Sequence, residues 1–169
     1  AADPEAGWKV VTEKAKWMDR MVWPMFQQGS AQPTEKEITV QQNEENPKLY
    51  RMVGPFADLM GDANIVLDTT DETNVLITLQ SSGIITRDMG QAFIASTTEI
   101  LADASQGNLI TKSGNRIDFP VRSVWLYFPT YSSDNVYYNN EQTEPGYLII
   151  EGGSSVEDVS LDANAPVEY

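Results

Sequence analysis

The sequence has no histidine and no cysteine among its 169 residues. The first absence removes the base used by serine and cysteine hydrolases and the commonest metal ligand. The second removes disulfides, thiolate zinc sites and CxxC redox chemistry. Haem ligation by either residue is excluded with them. Basic residues are scarce too, 11 Lys and Arg against 25 Asp and Glu, for a formal net charge of −14. None follows Arg122, so residues 123–169 carry eight acids and no base. Such a field repels phosphates, which makes nucleic acid and anionic membrane poor partners. No run approaches the roughly 20 apolar residues of a spanning helix. The opening Ala-Ala-Asp-Pro-Glu-Ala-Gly lacks the basic and apolar regions of a secretion signal. An exported protein would therefore be seen here in processed form. The missing cysteine fits the cytosol, and equally a lipoprotein whose lipid-bearing cysteine lies just ahead of Ala1.

What is present is 41% apolar residues in a chain of ordinary domain size. At this length about two-thirds of the unfolded surface is buried on folding, enough for a core without staples. Strand patterns recur from about residue 35 onward. Ile38 and Val40 alternate with Glu37, Thr39 and Gln41, then Asn43, Glu44, Glu45, Asn46 and Pro47 break the run before residues 49–53 resume it. That is a hairpin signal. Residues 65–67 and 75–79 flank a turn-rich Asx and Thr segment and read as a second hairpin. Gly83, Gly90, Gly107 and Gly114 separate further strand-sized pieces at 84–85, 92–95, 109–111 and 117–119. Residues 119–128 are apolar on both faces, Val121, Trp125 and Tyr127 opposing Val124, Leu126 and Phe128, as expected of one strand between two layers. A last strand is expected at 147–150.

These signals predict an all-β fold, a two-layer sandwich or flattened barrel of about eight to ten mostly antiparallel meander strands. They place one β domain at residues 1–151 and an acidic, weakly ordered tail or linker at 152–169. Residues 8–22 fit two periods. Val10, Lys14, Trp17 and Met21 make a helical stripe, yet the Trp, Val and Thr content suits a strand, so α+β with a helix at 8–22 is the alternative.

Chemistry is sparsely signposted. Asp68, Asp71, Glu72 and Asn74 offer oxygen ligands for Ca²⁺, but the EF-hand register is absent and a turn explains the same letters. No metal and no organic cofactor is expected. Asp118, between Ile117 and Phe119, is the one acid in a distinctive apolar setting, and alternation turns it towards solvent. No S-x-x-K, GxxxxGK or GxGxxG occurs, and no enzyme is expected. Aromatic rings are the better lead. Trp125, Tyr127, Tyr131, Tyr137 and Tyr138 lie close together in a stretch otherwise rich in Ser, Asn, Asp and Gln. Planar rings beside amides suit sugars, the ring covering the apolar face of a pyranose while polar groups bond its hydroxyls. Trp125 and Tyr127 lie inside a strand and read as core. The candidate ligand surface is Tyr131, Tyr137 and Tyr138 with Asn135, Asn139 and Asn140. Trp8, Trp17 and Trp23 read as core or interface.

The order Gly7-Trp8-Lys9, Asp19-Arg20-Met21-Val22 and Glu45-Asn46-Pro47-Lys48-Leu49-Tyr50-Arg51-Met52-Val53-Gly54-Pro55-Phe56 resembles secreted lipoproteins of Bacteroidetes, in which a Trp-led segment precedes an "ENPGLYRLVNPY"-like signature. Ile65-Val66-Leu67-Asp68-Thr69-Thr70-Asp71, the strand at 75–80 with Ser82-Gly83-Ile84, and Gly114-Asn115-Arg116-Ile117-Asp118-Phe119-Pro120 resemble that family's later motifs in the same order. Lys48 and the segment Thr12-Glu13-Lys14 depart from it, standing where the family has glycine. The resemblance implies an exported, outer-membrane-anchored, all-β protein facing the periplasm or the cell surface. It is often associated with glycan acquisition and has no established catalytic residues. The expected partner is a polysaccharide or a protein, and membrane contact runs only through a lipid anchor. The functions to weigh are a non-catalytic extracellular binding module and a structural or assembly domain.

Overall fold

The computed structural model describes residues 7–26, 33–131, 136–137 and 142–150. The fold is all-β. Its strands, in chain order, are β1 (Trp8–Met18), β2 (Lys36–Asn43), β3 (Leu49–Met52), β4 (Ile65–Asp68), β5 (Gln80–Thr86), β6 (Gly90–Ser96), β7 (Thr111–Ser113), β8 (Arg116–Phe119), β9 (Val124–Tyr127), β10 (Val136–Tyr137) and β11 (Gly146–Ile149). Two single-turn helices, α1 (Trp23–Phe26) and α2 (Thr97–Ile100), accompany them.

Seven strands form the larger sheet in the order β4-β3-β2-β1-β11-β8-β7, and four form the smaller in the order β10-β9-β6-β5. The first four strands are the expected meander. Val40 lies opposite Met52 and Gln42 opposite Tyr50, as the hairpin signal around Pro47 requires. β11 departs from a meander by inserting between β1 and β8. The outermost strands of the larger sheet are joined by residues 75–76. Leu76 pairs with Asp68 at the end of β4, and Val75 with Ile110 just ahead of β7. The sheet thus curls until its edges meet at one level, which removes two free edges.

Alternation directs the core. Ile38 and Val40 of β2, Ile65 and Leu67 of β4, Ile117 and Phe119 of β8 and Leu148 of β11 face Ile84, Ala92, Ile94 and Leu126 of the smaller sheet. Each such side chain contributes about 1.5–3 kcal/mol on burial. Trp17 sits at the centre, edge-on to Phe119 at 5.6 Å and to Phe56 at 6.3 Å, its Nε1–H donating to the Pro55 carbonyl at 2.9 Å.

Three sequence expectations need correction. Residues 8–18 are strand, so the α+β alternative falls. The strand carries two β-bulges, between Val10 and Thr12 and between Thr12 and Ala15, each adding one residue to β1. Of the apparent helical stripe Val10 and Lys14 are exposed, and the buried positions of the strand are Thr12, Ala15, Trp17 and Met18, so its simple alternation is broken. The single strand expected over 119–128 is two. β8 ends at Phe119 in the larger sheet and β9 begins at Val124 in the smaller, the chain crossing between at residues 120–123 with Arg122 at φ 64°. The second hairpin shrinks to the bridges at Val75 and Leu76, and residues 77–79 form no strand. The tail at 152–169 lies outside the described residues.

Candidate functional site

β6 runs antiparallel to both β5 and β9, so the exits of β5 and β9 fall at the same end of the smaller sheet. The rim there is built from the β5–β6 turn and the residues after β9. Thr86 Oγ1 accepts from the Met89 amide at 3.0 Å and donates to the Gly90 carbonyl at 2.9 Å, closing the turn. Gly90 has φ 80°, and a Cβ there would collide with Thr130 Oγ1, so only glycine lets the two segments touch. Thr130 Oγ1 in turn donates to the Met89 carbonyl at 3.3 Å. Either side of this contact stand Arg87 and Asp88, both exposed, and Tyr131, which is 58% exposed.

Of the residues singled out in the sequence, Tyr131 and Tyr137 are both tied to Phe128, one through its backbone and one through its ring. The Tyr131 amide donates to the Phe128 carbonyl at 3.0 Å, and Tyr137 meets Phe128 edge-on at 5.9 Å and 63°. They differ in environment. Tyr137 lies opposite Leu126, shares its inward face and packs half-buried against the core. Tyr138, Asn135, Asn139 and Asn140 lie outside the described residues. Arg87 and Asp88 were missed by reading along the chain. The signal was available in the turn-like Arg-Asp-Met-Gly, but only antiparallel pairing shows that this turn shares an end with the aromatic loop.

The other aromatics are tied into the framework. Trp125 is buried on the face of β9 away from Leu126, its Nε1–H donating to Thr97 Oγ1 at 3.1 Å and the Arg122 guanidinium 5.7 Å above its ring. Trp8 covers Arg51 at 4.5 Å on the outer face of the larger sheet, where Arg51 Nε donates to Gln41 Oε1 at 2.7 Å. Arg116 stacks on Tyr147 at 4.7 Å and bonds Asp118 at 2.7 Å, while the Tyr147 hydroxyl donates to Glu35. That bond to the carboxylate pushes the Tyr147 phenol above its ordinary pKa. Asp118 sits at the outer surface of β8, as alternation predicts.

Acids elsewhere are committed to local structure. Asp68 Oδ1 accepts from the amide and hydroxyl of Thr70, and Asp71 Oδ1 from those of Thr73, bonds that hold the Asp71 carboxyl below its usual range. Among the described residues no three potential metal-ligating side chains converge. The buried carboxylate is one the sequence reading passed over. Asp19, at the end of β1, accepts from the amides of Met21, Val22 and Trp23 at 2.7–2.9 Å. Burial pushes it up to about 6, against the pull of those three amides and of Lys36. Its bonding is wholly to its own turn, which folds residues 19–26 over one end of the larger sheet. Comparison of the chain with family models, curated proteins and solved structures gives no match.

Proposed function

We propose that the protein is a non-catalytic extracellular binding module of a surface lipoprotein, and that its rim at the end of β9 holds a glycan. The exposed ring of Tyr131 carries this reading. It follows directly on buried Phe128 and the Gly90–Thr130 contact, so a flat apolar surface is presented to solvent on an anchored backbone. The net charge of −14 supports a neutral polyhydroxylated ligand over a polyanion. A thermal-shift screen against soluble polysaccharides tests it, since a ligand bound only by the native state raises the melting temperature. A panel without any shift, together with unchanged mobility in polysaccharide gels, overturns the glycan reading.

A structural or assembly role is the second reading, favoured by one observation. Met60 is 90% exposed at φ 62°, and Ile85 on β5 is 77% exposed. Large apolar side chains held in solvent are features of surfaces that meet other chains. Sedimentation that shows concentration-dependent association, abolished by Ile85→Lys, would favour that role.

A further inference from the structure

We infer that Arg87 and Asp88 are the polar half of the rim and set its ligand class, a neutral saccharide presenting vicinal hydroxyls. This rests on the glycan reading above and adds to it the residues that choose between sugars.

The placement comes from the strand order. The Thr130 hydroxyl bonds the Met89 carbonyl, which puts Asp88 one residue before that contact and Tyr131 one residue after it. Nothing in the framework requires a charged pair at this turn. Thr86 and Gly90 close it through hydroxyl, amide and carbonyl groups, and Met89 supplies its anchor to the core. Two cations of the larger sheet's outer face have framework partners, Arg51 beneath Trp8 and Arg116 between Tyr147 and Asp118. Arg87 and Asp88 are exposed on the turn contacted by Thr130, the residue before the exposed Tyr131.

A guanidinium supplies donors in a planar fork and a carboxylate supplies acceptors, so together they satisfy both halves of neighbouring hydroxyl groups. The ring covers the apolar C–H face of the same sugar. The pair is neutral as a unit, within a molecule whose field is strongly negative. A neutral sugar therefore meets no repulsion, whereas a uronate polymer gains one cation and faces the whole acidic surface. Gly90 is a positioning residue. A side chain there would push the Thr130 segment off the turn and separate Tyr131 from the charged pair.

The test is affinity electrophoresis of the full chain through gels containing mannan, dextran, xyloglucan or laminarin, with polygalacturonate as the acidic probe. Wild type should be retarded by at least one neutral polymer and not by polygalacturonate. Arg87→Gln and Asp88→Asn should each weaken that retardation about tenfold to a hundredfold, the range for losing a charge-assisted hydrogen bond. Their melting temperatures should match wild type, since both side chains are exposed. Tyr131→Ala should abolish retardation. If Arg87→Gln and Asp88→Asn bind as wild type does while Tyr131→Ala does not, this inference fails and the glycan reading stands. If polygalacturonate retards wild type and Arg87→Gln abolishes the effect, the neutral class is wrong and Arg87 reads a carboxylate. Wild type unretarded by every polymer overturns both readings.

Discussion

The two sheets solve the same problem in opposite ways. The larger one hides its edges, since residues 75–76 bridge β4 to β7 and the long strand β1 sits at its centre. Its outer face is occupied by side chains that bond one another, with Arg51 under Trp8 and Arg116 on Tyr147. Among the described residues the smaller sheet ends at β5 on one side and β10 on the other, and it leaves Ile85 and Tyr131 in solvent. Exposed aromatic area without framework bonds belongs to the smaller sheet. The difference puts the bonded framework in the curled sheet and is the basis for proposing recognition at the rim of the open one, since loops on a rigid support commonly carry function.

The largest expected effect is at the centre of the curled sheet. Trp17→Ala removes the ring between Phe56 and Phe119 and orphans the Pro55 carbonyl, and should cost about 3–5 kcal/mol in urea unfolding. A loss below 1 kcal/mol would mean that stability does not reside there. Asp19 comes next. Its folded value of about 6 lies above the unfolded 3.8, so between these the native state holds the extra proton. The favourable contribution is whole below about pH 4 and is lost as pH rises through 6, amounting to about 3 kcal/mol. Wild type should therefore lose stability relative to Asp19→Asn as pH rises from 4 to 7. A pH-independent difference refutes the assignment.

The joint between the sheets should be intermediate. Thr97 Oγ1 bonds the carbonyls of Asn108 and Arg122 and receives Trp125 Nε1–H. Thr97→Val keeps the shape and removes the hydroxyl that donates to the Asn108 carbonyl and accepts from Trp125 Nε1–H, at about 1–3 kcal/mol by denaturant titration. Ile85→Lys on the open edge should shift stability by less than about 0.5 kcal/mol. A clear destabilisation in the same titration would show that this edge belongs to the packed framework after all.

Much of the framework is legible along the chain because its cues are local. Alternation at Ile38 and Val40, the break at Pro47 and the glycine spacing beyond residue 83 all depend on neighbours in sequence. The misreadings have non-local causes. Two bulges in β1 break its alternation, and they exist only relative to the register of β2. The apolar run 119–128 looks like one strand because Phe119 and Leu126 face a single core from opposite sheets, while Trp125 is covered from outside by Thr97 and Arg122. Asp19 gives no signal, its burial arising from a turn that its own carboxylate closes. At the rim, Tyr131 is legible as an aromatic in a polar stretch. Arg87 and Asp88 come beside it only through the antiparallel order β5-β6-β9.

The position of β11 also governs the order in which the chain can assemble. It pairs Lys16 with Ile149 on one side and Ile117 with Leu148 on the other, so the middle of the larger sheet is supplied by the last strand to leave the ribosome among those described. Until it arrives, β1 and β8 each present a bare edge, the usual starting point for mispairing between chains. Doubling the length of a closing loop costs only about 0.6 kcal/mol, so the delay burdens the rate of folding far more than the final stability. An interior strand of the larger sheet thus comes last in the chain among those described, and without it two strands lack a neighbour at the same time.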